Sequence, residues 1–147
     1  MTKEVLLSIR GIQMEVDPDE NIEIITVGEY SFDDYNHYVY YDEVMEDSPE
    51  IVKSILKFND KCVELIKKGP MNVHMIFEKQ KKNVTYYNTP FGDLLIGLLA
   101  NSINIKEKEE MINVDINYSL EINSQYISNC SIAMDIKAKD TAYLGLS

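Results

Sequence analysis
From Met111 to Ile122 apolar and polar side chains alternate without a break. Ile112, Val114, Ile116, Tyr118, Leu120 and Ile122 stand against Asn113, Asp115, Asn117, Ser119 and Glu121. Successive side chains of a β-strand point to opposite faces, so this alternation predicts a strand with one buried face. Residues 126 to 138 repeat it, with Cys130, Ile132, Met134 and Ile136 on one side and Asn129, Ser131, Asp135 and Lys137 on the other. Asn123-Ser124-Gln125 is a turn-length connection, so the two stretches are expected to form an antiparallel hairpin.

The front half follows the same rule with more noise. Residues 3 to 16 and 21 to 32 flank Asp17-Pro18-Asp19-Glu20, a turn in which proline fixes φ and the acids stay solvated. Ile22, Ile24, Thr26, Gly28, Tyr30 and Phe32 share one face of the second strand. Further strands are expected over about 37 to 45, 71 to 78, 83 to 89 and 93 to 107. Proline forces Thr89 out of the helical region and Gly92 is free to take positive φ, so the chain bends at Thr89-Pro90-Phe91-Gly92. Phe91 is expected to plug one end of the domain. Gly11, Gly28 and Gly97 fall inside strands, where glycine marks a bulge or the corner of a curved sheet.

One segment has two readings. Ser48-Pro49-Glu50 is a good helix start, and Ile51, Val52, Ile55, Cys62, Val63 and Ile66 fit a helical stripe. The same residues fit two strands, 50 to 58 and 62 to 68, around Asn59-Asp60-Lys61. Periodicity alone leaves both open.

Eight to ten successive strands with short turns predict an all-β antiparallel sandwich or barrel. Strands of 12 to 14 residues are long and favour a closed, curved barrel over flat sheets. The 147 residues suit a single domain. Lys plus Arg is 14 against 25 for Asp plus Glu, a formal charge of −11. Phosphate backbones and anionic lipid surfaces need a positive footprint, so neither nucleic acid nor membrane is an expected partner. Two cysteines are too few for a secreted disulfide scaffold, and no apolar leader opens the chain, so a cytoplasmic setting is expected.

Several short motifs occur in a telling order. They are Gly28-Glu29-Tyr30, Tyr40-Tyr41-Asp42-Glu43, Ser48-Pro49-Glu50, Lys68-Gly69, Met75-Ile76-Phe77-Glu78, Tyr87-Asn88-Thr89-Pro90-Phe91-Gly92 and Tyr118-Ser119-Leu120. The series resembles the YwiB-like family of small uncharacterised bacterial proteins, over about Val5 to Ile136. The most specific piece is Tyr-x-Thr-Pro-Phe-Gly. The resemblance implies a single calycin-type β-barrel, lipocalin-like in shape, and two strands over 50 to 68. It implies no established activity. The lipocalin Gly-x-Trp signature is absent, because the chain has no tryptophan.

Candidate chemistry is sparse. His37 and His74 lie near no nucleophile motif. His74 and Glu78 share a strand face, but with Ile76 between them a surface polar pair is favoured over a metal ligand pair. Cys130 shares a face with Ile132 and Met134 and reads as a small hydrophobe. The acidic clusters Asp17-Pro18-Asp19-Glu20, Asp33-Asp34 and Asp42 to Glu50 miss the calcium-loop spacing and read as solvated charge. The tyrosines carry more information, because an inward ring offers a flat apolar wall with a hydroxyl. Tyr30, Tyr41, Tyr87 and Tyr118 are the candidate wall of a ligand site. Arg10, the only arginine, shares a face with Leu6 and Met14. Turned inward it would receive a ligand carboxylate; turned outward, at a bulge near Gly11, it would pair with an acidic neighbour. These features predict a non-enzymatic barrel that binds a small apolar or amphipathic ligand, without metal or cofactor. The alternative is a protein–protein interaction or structural module with a filled barrel. The oligomeric state is open.

Overall fold
The structure, a computed structural model, describes residues 3–11, 23–44, 50–69, 72–89 and 92–139. Strand follows strand: β1 Glu4–Arg10, β2 Glu23–Phe32, β3 His37–Val44, β4 Ile51–Phe58 and β5 Cys62–Lys68. Then come β6 Val73–Glu78, β7 Lys82–Thr89, β8 Gly92–Glu107, β9 Met111–Ile122 and β10 Gln125–Ala138. The strands form one antiparallel sheet in the order β6-β5-β4-β3-β2-β1-β10-β9-β8-β7. Its two ends meet at the β6–β7 hairpin, through the bridge Glu78↔Lys81 and the bond from Gln80 N–H to the Ala100 carbonyl at 2.9 Å. The sheet is thus curled nearly into a barrel, the all-β architecture that the alternating pattern predicts.

The ambiguous segment is two strands. Alternation decides it: Val52, Leu56 and Phe58 of β4 and Val63 and Leu65 of β5 point inward and are buried. The residues of the supposed helical stripe divide between the two faces. Asn59 fixes the turn, its Oδ1 accepting the N–H groups of Lys61 (2.9 Å) and Cys62 (3.1 Å). The β9–β10 turn is equally local in origin. Asn123 and Ser124 take φ of 51° and 67°, the left-handed pair of a type I′ hairpin that matches the strand twist.

Inward side chains from both halves of the sheet make one core, including Leu7, Ile9, Leu56, Leu65, Ile116, Ile132 and Met134. Tyr118, Phe58 and Phe77 are its largest fully buried members. These residues pack together inside the curled sheet. Bulges fall at Ala100/Ser102 in β8 and Tyr126/Ser128 in β10, and not at Gly28 or Gly97, where the register is continuous. Gly92 has the positive φ expected of it, +122°. Phe91, the Asp17–Glu20 turn and the Ser48-Pro49 pair lie outside the described residues.

A cleft at a split in the sheet
The ladder between β2 and β3 is incomplete. It runs from Phe32↔His37 to Gly28↔Tyr41 and stops. Past that point Glu23–Val27 pairs only with β1, and Asp42–Val44 only with β4, among the described residues. Among the described residues, the facing edges therefore hold N–H and C=O groups with no ladder partner. Such groups are obligatory hydrogen bonders and template another extended chain. Gly28 stands at the fork, where the backbone of β3 leaves no room for a side chain. A Cβ on it would lie 2.9 Å from the Tyr40 carbonyl oxygen and 3.0 Å from Val39 Cγ1.

A cleft of about 760 Å³ lies over the split. Val27, Tyr40 and Ile55 give it an apolar wall, and Val27 and Tyr40 are 49% and 44% exposed. Acidic Glu4, Glu29 and Asp42 and basic Lys53 and Lys68 stand around them, with Asp42 opposite Lys53 and Lys53 opposite Lys68. Tyr41 and Ser54 reach it from the inner side of the sheet, both buried. Their hydroxyls are buried without a hydrogen bond of normal geometry. Burial first, and the Glu43 carboxylate second, push the Tyr41 phenol well above its ordinary range. Glu43 is not the solvated acid that its cluster suggests. It faces inward and accepts from Lys67 Nζ at 2.8 Å, with the lysine side chain only 11% exposed.

A second constellation closes the other end. His37 is buried, stacked on Phe58 at 4.7 Å between centroids and tilted against Phe32 at 4.6 Å. Its Nδ1 lies 2.7 Å from the Tyr30 hydroxyl and its Nε2 lies 2.6 Å from Glu107 Oε1. With Glu107 ionised, Nε2–H donates to the carboxylate and the Tyr30 O–H donates to Nδ1. Both ring nitrogens are engaged, so the ring keeps no lone pair for a metal. Burial, and then Glu107, raise the Tyr30 phenol, which disfavours a tyrosinate nucleophile. This arrangement clamps the barrel end. Sequence reasoning missed it because Glu107 lies far along the chain from His37.

The five sequence-predicted site residues do not converge. Tyr41 lines the cleft and Tyr30 holds His37. Tyr118 is core, 1% exposed and edge-on to Phe77 at 4.9 Å. Tyr87 pairs with Leu94 in β7, and its side chain lies outside the described ones. Arg10 corrects the inward reading. Val5, Leu7 and Ile9 take the inner face, so Leu6, Ser8 and Arg10 take the outer one, with no bulge needed. Its guanidinium is half exposed and donates to Asp135 Oδ2 at 3.1 Å. Asp135 also accepts from Asn113 Nδ2. His74 is likewise an outer-face residue, 3.9 Å from Glu64 of β5. Lys53 and Lys68 carry no sequence signal beyond ordinary strand-surface charge. Among the described residues no group of three or more His, Cys, Asp or Glu is placed to hold a metal ion. No described helix is long and apolar enough to cross a membrane.

The model of a domain of unknown function, DUF1934, matches residues 7–134 of the chain. No curated protein matches it. Among solved structures, the crystal structure of the ywiB protein from Bacillus subtilis is similar, with a TM-score of 0.73 and 20% identity, covering 92% of each chain. At that identity the likeness shows the fold alone.

Proposed function
Since the chain belongs to the DUF1934 family, whose activity is unknown, we propose a function from its own geometry: a non-enzymatic module that takes an extended segment of another protein into the β2–β3 split. The observation that carries this reading is the coincidence of unpaired strand edges with a cleft of about 760 Å³ over them. A peptide laid there gains main-chain hydrogen bonds from the edges, and its alternate side chains meet the cleft walls. The lining favours a segment that alternates apolar residues with charges of both signs. Val27, Tyr40 and Ile55 take the apolar ones, Lys53 and Lys68 the acids, and Glu29 and Asp42 the bases. The buried cluster that includes Leu7, Leu56, Leu65, Ile116 and Met134 supports the cleft over the barrel interior as the place of binding. We read the setting as cytoplasmic, in keeping with Cys62 and Cys130 standing as thiols and not as a disulfide, and the barrel as lipocalin-like in its up-and-down strand order.

The test uses peptides selected from a displayed random library against the full chain. The expected winners alternate apolar and charged residues. Their binding protects amides of Glu23–Val27 and Asp42–Val44 from hydrogen exchange, and N-methylation of one central peptide nitrogen weakens it about tenfold or more. Selected peptides that protect some other region, or that tolerate N-methylation throughout, overturn the proposal. A small amphiphile that alone protects these amides overturns it in favour of a lipocalin-like role.

A further inference from the structure
The sheet has two terminal strands, and they are protected very differently. β6 carries His74, set against Glu64 at 3.9 Å, and Glu78, set against Lys81 at 3.8 Å. Charge of this kind is how an edge strand repels unwanted pairing. β7 pairs with β8 along its whole length, and on its other side, among the described residues, it has no ladder to β6 beyond the hairpin bridge Glu78↔Lys81. From Asn83 to Thr89 it carries no charged residue. Lys82, its one cation, is occupied with Glu121 Oε2 at 2.9 Å. Val84 and Tyr86 stand on the outer face of this open edge, 52% and 73% exposed. Behind them the ladder sets Gly97 opposite Val84 and Leu95 opposite Tyr86. The half-buried Leu95 thus continues the apolar surface into the sheet, while the Glu121 and Lys82 side chains lie over Gly97.

We infer that β7 is the edge by which two copies of this chain associate, joined antiparallel about a twofold axis through Thr85. Two arguments select a second copy as the occupant. The first is electrostatic. Two chains of charge −11 repel over most of their surfaces, so they approach at a stretch that carries no acid. Antiparallel pairing also sends the two Lys82 residues to opposite ends of the joint. The second argument is geometric. With Thr85 on the axis, residues of one face oppose residues of the same face, so Val84 meets the partner's Tyr86, and Tyr86 meets the partner's Val84. That is a doubled aromatic–β-branched pair, the cross-strand combination that stabilises sheets best. The interface is isologous and closes at two copies. Pairing β7 with the guarded β6 edge would instead be head-to-tail, giving rings or open chains of copies. The association does not depend on whether the β2–β3 split takes a peptide.

Sedimentation equilibrium of the full chain over a wide range of concentration tests it. The expected mass at high concentration is twice the 17.0 kDa of the chain. Tyr86→Lys and Val84→Lys should each raise the dissociation constant about tenfold or more. Both sites are solvent-exposed in the single chain, so the far-ultraviolet circular dichroism of the variants should stay that of the parent. Amide exchange should slow around Thr85 as the concentration rises, and should not slow along β6. A single-chain mass throughout overturns the inference, as does a mass that grows past two copies. So does a dimer that Tyr86→Lys leaves intact.

Discussion

His37 Nε2 lies 2.6 Å from Glu107 Oε1, so the start of β3 is tied to the far end of β8 across the barrel mouth. The two strands are not neighbours in the sheet, and the contact shows how far β8 bends past its bulge at Ala100/Ser102. The ring carries most of the effect, because it fills the space between Phe32 and Phe58. His37→Ala should destabilise the fold by about 2 to 3 kcal/mol, through lost burial and stacking. Glu107→Gln should cost about 1 kcal/mol or less, since the glutamate is mostly exposed and its amide still accepts from Nε2. Urea denaturation measures both. Equal costs for the two would show that the hydrogen bond to Glu107, and not the packed ring, holds the mouth shut.

Gly28 and Gly92 separate two reasons for a glycine. At Gly28 a methyl group meets the Tyr40 carbonyl and Val39 Cγ1, so Gly28→Ala must push β2 away from β3. Overpacking of this kind costs about 1 to 3 kcal/mol. At Gly92 φ is +122° but nothing lies within 4 Å of an added Cβ. Gly92→Ala should therefore cost about 1 kcal/mol, from backbone strain alone. The variants should also differ at the cleft, because only Gly28→Ala moves its walls. Faster amide exchange over Val27 to Tyr30 in that variant is the expected sign.

Alkaline stability follows from two buried phenols. Burial raises both Tyr41 and Tyr118 above the ordinary tyrosine value of 10.0. The folded state then keeps protons that the unfolded state releases. The contribution of these groups is fully present below that ordinary value and is lost as pH rises above it. Tyr41 and Tyr118 should ionise only as the β-type circular dichroism collapses. Complete phenolate absorbance with that spectrum intact would falsify the placement of these rings.

Arg10→Met should change stability by no more than about 1 kcal/mol, because an exposed ion pair contributes little and Asp135 keeps Asn113. The same change should leave peptide binding at the split untouched. A loss of several kcal/mol in thermal or urea unfolding would mean that Arg10 anchors β1 to β10 more firmly than its exposure implies.

Strand positions were legible because alternation is local. Met111 to Ile122 announces its buried face with no knowledge of what covers it. The segment from Ile51 to Lys68 was harder, since six apolar residues happened to satisfy two periods at once, and the Asn59 turn decides between them. Arg10 was ambiguous for a similar reason. Leu6 made its face look buried, whereas Val5, Leu7 and Ile9 form the more consistently apolar face. The split between β2 and β3 was not legible at all. Where a ladder stops depends on sheet curvature, and both Glu23–Val27 and Asp42–Val44 have ordinary strand composition. The tyrosines announced an aromatic wall but not its location, because each ring was placed by a different strand.

The place of β1 in the sheet has a consequence for synthesis. β1 pairs with β2 on one side and with β10 on the other, so its second partner is the last of the described strands to leave the ribosome. The meander from β1 to β6 can begin to form as it emerges, whereas the β1–β10 seam waits until eight further strands have been made. Such a high contact order slows folding and leaves the Val5–Leu7–Ile9 face uncovered during translation. A nascent chain stalled before β10 should therefore be a client for chaperones, and arrival of Ile132, Met134 and Ile136 is the event that releases it.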